Sequence, residues 1–157
     1  MESQVHFTFM ILCFLLSSCV QVMTPEERGI EVNYDIKIES QQEVLQLAQH
    51  RFEELYSISL GSTSDDAIVY WTDHRCNDMT NVEWRDMCKK GLTWSCKEMY
   101  VAVSEWTPDT TCGTVLVHEF GHCMHGVAFG ELDIDHSSTG FWKNVTDIYV
   151  ETCDKGL

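Results

Sequence analysis

Ile30, Val32, Tyr34, Ile36 and Ile38 alternate with Glu31, Asn33, Asp35, Lys37 and Glu39. A period of two predicts a half-buried strand. Ser40 and Glu43 fit a capping box, and Val44, Leu45, Ala48, Phe52, Leu55 and Tyr56 follow at helical spacing, so a helix is expected there. Gly61 to Asp66 reads as a polar turn and Ala67 to Trp71 as a short apolar strand. From Asp73 to Lys97 there is no clear period and there are three cysteines, which suggests a disulfide-pinned insertion. Tyr100 to Val103 is a further strand, extending from Met99 to Trp106, and Pro108 turns the chain into a helix over about Thr111 to His125. Gly126 stands where a helix would stop. The order strand, helix, strand, insertion, strand, helix predicts an α+β domain, with no internal repeat.

The N-terminal region has a different character. Phe7 to Leu16 is apolar but too short to span a bilayer, and residues 1–18 read as an export leader. Leu16-Ser17-Ser18-Cys19 resembles a bacterial lipobox, which implies lipidation of Cys19 and a membrane-anchored lipoprotein. An ordinary cleaved signal peptide is the alternative, and both readings export the protein. Residues 19–29, polar from Thr24 to Gly29, are expected to tether the anchor to a domain over 30–157. That domain is large enough for one real core. Six of the eight cysteines follow Cys19, and an even number in an exported domain suggests disulfides, of which 15 connectivities are possible. The net charge of −15 argues against nucleic acid as a partner. The acidic residues are dispersed, as on a solvated surface, and a monomer is expected.

The chemistry concentrates in His118-Glu119-Phe120-Gly121-His122. On a helix, residues four apart share a face, so His118 and His122 can direct two imidazoles at one zinc ion. Zinc acidifies a bound water to a pKa of roughly 7, and Glu119 is placed to take its proton. This pattern marks metal-assisted peptide hydrolysis. Gly121 leaves room for another segment to approach the helix closely.

Val115 to His122, together with the element order over residues 30 to 136, resembles the zincin metallopeptidases, in particular the small matrixin-like metzincins. The resemblance implies a small mixed sheet backed by one helix, with the active helix below a substrate cleft. It further implies Zn2+ held by His118 and His122, Glu119 as general base, and a peptide or protein substrate. Metzincins continue with a glycine and a third histidine, whereas here those positions hold His125 and Ala128, and no methionine follows Met124.

A catalytic zinc takes three protein ligands. His136, after a loop centred on Gly130 and before the polar run Ser137-Ser138-Thr139-Gly140, is the preferred third. Asp133, Asp135 and Glu151 are the alternatives. His125 reads as a helix-end histidine favoured by the dipole. Glu131, Asp133 and Asp135 read as a solvated acidic loop or a calcium site. Asn144-Val145-Thr146 fits a glycosylation pattern. Tyr149 and the tryptophans, Trp142 among them, read as packing residues. The strand at Tyr100 to Trp106 is expected to offer an edge to an extended peptide. The function that follows is an exported zinc metallopeptidase. The alternative is a non-catalytic, disulfide-stapled lipoprotein that keeps the scaffold as a binding module.

Overall fold

A computed structural model describes residues 24–73, 90–102 and 114–154. The elements are α1 (Gln41–Tyr56), α2 (Thr63–Asp66), β1 (Val69–Thr72), β2 (Gly91–Ser95), β3 (Glu98–Ala102), α3 (Thr114–Phe129) and α4 (Thr139–Asp154). The leader, Cys19, Cys76, Cys88 and Cys112 lie outside the described residues.

The sheet is mixed, in the order β1-β3-β2. β1 runs parallel to β3, with Val69 opposite Met99, and β2 pairs antiparallel to β3, with Leu92 opposite Tyr100. β3 is therefore the central strand, and every one of its residues is buried. This corrects the expectation that the strand around Tyr100 offers an edge. Among the described residues the edge strand beside α3 is β2. β2 itself falls inside the stretch expected to be an irregular insertion. It is a five-residue strand in which Leu92 and Thr93 are buried and Trp94 is exposed, too short for its pattern to stand out beside three cysteines.

α3 packs against β2 and β3 on one side and against α4 on the other, while α1 packs on α3 and α4. Val44, Leu45, Ala48 and Phe52 of α1, Met99 and Val101 of β3, Leu116, Val117, Phe120 and Met124 of α3, and Phe141, Val145 and Ile148 of α4 form one core. The spacing of these residues within each helix is the i, i+3, i+4 set of a single apolar face. Ser40 stands at the N-cap of α1, but its side chain makes no capping bond, so the expected capping box does not form.

The alternation from Ile30 to Ile38 does not make a strand. Asn33 donates its amide to Trp71 O of β1 at 2.8 Å, and there the pairing stops. The Asn33 side chain accepts from Asp35 N, and its carbonyl accepts from Ile36 N. An asparagine that bonds its own backbone two residues on turns the chain. The apolar positions still serve packing. Ile30 packs with Leu92 and Tyr100 in a second small cluster, whereas Ile36 and Ile38 reach the main core.

The segment from Thr24 to Gly29, expected as a tether, folds as turns against the sheet. Arg28 is buried in an ion pair with Glu98 of β3, Tyr100 Oη donates to the same carboxylate, and the guanidinium lies over the Trp94 ring. One disulfide is described, joining Cys96 of the β2–β3 turn to Cys123 of α3 with Cα atoms 4.9 Å apart. It ties α3 to the hairpin that packs on it. No helix among the described residues is long and apolar enough to cross a membrane.

Candidate metal centre

α3 continues through Gly126 to Phe129 and stops at Gly130, whose φ of 87° is the left-handed conformation that glycine adopts without strain. The expected stop at Gly126 is therefore displaced by one turn. Gly126 is instead a packing position, where a Cβ would come within 2.9 Å of the Leu132 side chain. His125 is consequently inside the helix and not at its end. It is 3 % exposed, its Nδ1 donates to Glu131 O at 2.6 Å, and its Nε2 meets Ser138 Oγ at 3.3 Å. It braces the loop that leaves α3.

That loop brings His136 back over the helix. The ligand atoms of His118, His122 and His136 all lie within 4.8 Å of one another. His118 Nε2 and His136 Nε2 are 3.1 Å apart. Zinc–nitrogen bonds of about 2.0–2.1 Å at tetrahedral angles separate two ligand nitrogens by about 3.4 Å, so three imidazoles so disposed could hold one ion. His122 donates Nδ1–H to Leu132 O at 2.7 Å. This fixes the tautomer and leaves Nε2 free with its lone pair, the usual arrangement of a ligating histidine. Burial pushes the His118 imidazole down to about 4, with the neighbouring His122 and His136 adding to the effect. Burial also lowers His122, against the opposing bond to Leu132. Neutral imidazoles are what a metal requires.

The alternative third ligands are engaged elsewhere. Asp133 is a hub, accepting from Ser137 N at 3.0 Å, Ser137 Oγ at 2.6 Å, Ser138 N at 3.0 Å and Trp142 Nε1 at 2.7 Å. Desolvation acts against its charge, but these four donors outweigh it and hold the carboxyl well below the usual carboxylate range. Asp135 is exposed and accepts only weakly from Ser137 N. Glu151 pairs with Arg51 of α1 through both carboxylate oxygens. The acidic loop thus has one inward, saturated carboxylate between two exposed ones, and no shared cation site follows from it.

Glu119 sits in the same cavity of about 480 Å3 as the three histidines, with Gly91, Leu92 and Thr93 of β2 forming the opposite wall. The side chain is 5 % exposed. Burial raises its carboxyl to about 7, partly offset by the 2.7 Å hydrogen bond that Thr93 Oγ1 donates to Oε2. A Cβ at Gly91 would lie 2.6 Å from Glu119 Oε1 and 2.8 Å from a Val115 methyl. Only glycine leaves room for this carboxylate.

Gly91 and Thr93 were not legible as site residues, because β2 itself was not legible. Trp142 packs, as expected, and it packs on the three histidines. Its ring centroid lies 4.4 Å from that of His122, 4.3 Å from His136 and 4.9 Å from His118. Gly121 is what admits it, since a Cβ there would meet the Trp142 ring and Val145 at 3.2 Å. Tyr149 lines a groove on the α4 side of His118 and His136. The Asn144 amide donates to Tyr56 Oη. Compared with protein-family models, curated proteins and solved structures, the chain matches none.

Proposed function

We propose that this chain is a zinc-dependent peptidase of zincin type that works in an exported setting. The observation that carries the proposal is the convergence of three imidazoles in one cavity with a buried, poised carboxyl group. His118, His122 and His136 would hold the ion. When bound there, zinc supplies a Lewis acid and lowers the pKa of water to about 7.

The chain's own residues do the rest. Burial raises the Glu119 carboxyl to about 7 in the metal-free chain, and a cation in the cavity would favour the carboxylate, the form that accepts a proton. A group so placed can take a proton in one step and return it to a leaving amine in the next. Thr93 fixes one carboxylate oxygen, and Gly91 keeps the other unobstructed. The β2 edge along Gly91 to Thr93 lines the same cavity, and a substrate in extended conformation can add to such an edge by backbone pairing. Export draws support from the resemblance of residues 1–19 to a lipoprotein leader and from the Cys96–Cys123 disulfide, a bond that persists in oxidising compartments. On the same resemblance, lipidation of Cys19 would hold the enzyme at a membrane.

The test is metal content and peptide hydrolysis by the purified oxidised chain, beside Glu119→Gln and His136→Ala. One equivalent of zinc with hydrolysis, hydrolysis abolished in Glu119→Gln with zinc kept, and zinc weakened in His136→Ala is the expected outcome. Tight zinc without cleavage of any peptide in a broad library would refute the enzyme and leave a binding module on the same scaffold.

A further inference from the structure

We propose that Trp142 is the positioning residue of the metal centre, acting through Asp133 to hold His136 in place before any ion arrives. This rests on the three-histidine reading above and adds to it a residue outside the ligand set. Two separate contacts support it. The first is packing, because the indole touches all three imidazoles, at centroid distances of 4.3 to 4.9 Å. No other described aromatic ring contacts more than one of them apart from the histidines themselves. The second is a hydrogen bond. Trp142 Nε1 donates to Asp133 Oδ2 at 2.7 Å, and the remaining capacity of that carboxylate is taken by Ser137 and Ser138.

The need for such a clamp follows from the backbone. Asp133 and His136 have φ values of 48° and 57°, a conformation sparsely populated by residues that carry a Cβ. His136 is exposed, so burial does not hold it. What holds it is the turn, in which His136 N donates to Asp133 O at 3.0 Å and the Asp133 side chain caps the residues that follow. Trp142 joins that turn to the first turn of α4, where its own amide donates to Ser138 O. Groups behind the ligands commonly set metal affinity by a factor of 10–100 when removed.

The experiment is zinc affinity of the full oxidised chain by competition with a chromophoric chelator, for the wild type, Trp142→Phe, Trp142→Leu and Ile148→Ala. Ile148 lies in the core on the same helix and controls for general destabilisation. Trp142→Phe keeps a ring against the imidazoles but loses the N–H, and should weaken zinc about 10-fold. Trp142→Leu loses both and should weaken it by about 100-fold. Ile148→Ala should lower the melting temperature and leave affinity within about threefold of the wild type. In the metal-free Trp142→Phe protein, amide exchange at Ser137 and Ser138 should quicken while core amides of α1 stay protected. Equal affinity in the wild type and both tryptophan variants overturns the proposal, as does an equal loss in Ile148→Ala. A wild type that takes up no zinc overturns the metal reading itself, and is told apart because there is then no zinc affinity to compare in any of the proteins.

Discussion

Replacing Glu119 by Gln should remove hydrolysis and, in the metal-free protein, raise stability. The carboxyl ordinarily titrates at 4.5 and is raised to about 7 in the folded protein, chiefly by burial. The folded state therefore holds this proton more tightly than the unfolded chain. Full stability is present below pH 4.5, where both states are protonated. It falls as pH rises through the window from 4.5 to 7, because the unfolded chain has released the proton and the folded one has not. Above pH 7 the loss is complete, and at 1.36 kcal/mol per pH unit it amounts to about 3 kcal/mol.

Glutamine has no such titration. Its Oε1 can still accept from Thr93, and taking its amide N–H groups out of water into the cavity costs about 1 kcal/mol. The variant should thus be about 2 kcal/mol more stable than the wild type at pH 8 and about 1 kcal/mol less stable near pH 4.5. His118 contributes the opposite slope. Its imidazole is depressed to about 4, so its stabilisation is present above pH 6.5 and is lost as pH falls toward 4. It is common to both proteins and cancels in their difference. The assay is urea unfolding of chelator-treated protein at pH 5, 6, 7 and 8, followed by tryptophan fluorescence. A difference between the two proteins that does not change with pH, or a wild type more stable at pH 8, would refute the reasoning. Restoring zinc should shrink the difference, since a cation in the same cavity favours the carboxylate.

Three further outcomes are expected. Gly91→Ala forces a methyl group against Glu119 and Val115, so stability should fall by about 1–3 kcal/mol and hydrolysis should drop while zinc content stays at the wild-type level, as read by unfolding, turnover and elemental analysis. Replacing Cys96 and Cys123 together by Ser opens a closure of 27 residues, worth about 3–4 kcal/mol of stability in the chain-entropy account; an unchanged urea midpoint would contradict the pairing. Glu98→Ala removes the carboxylate that pairs with buried Arg28 and accepts from Tyr100 and should cost up to about 3–5 kcal/mol, whereas a loss below about 1 kcal/mol would mean that the turn at 24–29 does not pack on the sheet.

The parts of this fold legible in the sequence are those whose signals are periodic and long. α1 was legible from Val44, Leu45, Ala48 and Phe52, and α3 from its apolar run and the two histidines four apart. Gly121 was legible as a close-approach position, and α4 does approach there, through Trp142 and Val145. What failed did so for physical reasons. Residues 30–38 carry a strand's alternation, but Asn33 turns the backbone after one hydrogen bond to β1. β2 is too short to show a period. Gly126 has a glycine's freedom to end a helix, yet tertiary packing against Leu132 keeps it helical, and the turn falls to Gly130. His136 is legible from its imidazole and its loop, and it does converge with His118 and His122. The residues that put it there, Asp133 and Trp142, act through contacts 9 residues apart in sequence, which no local pattern encodes.

The cavity gathers several features that each lower the stability of a metal-free fold. A carboxyl group is buried with one hydrogen bond from a side chain. Three imidazoles, at least two of them held neutral, direct nitrogens at one another. Two residues with a Cβ adopt left-handed backbone in the loop that completes the cluster. Strain and desolvation of this kind persist only where surrounding structure over-determines them, and here the surroundings are β2 across the cavity, the disulfide behind α3 and the Asp133–Trp142 clamp. A cation bound there would relieve the first two features together, because it would favour the carboxylate and occupy the converging lone pairs. Binding to the folded state alone would then stabilise it by about 2.7 kcal/mol at a hundredfold excess over the dissociation constant. The third feature exists before any ion binds, so in the metal-free fold the left-handed turn must be held by protein contacts. That is why the burden falls on Asp133 and Trp142.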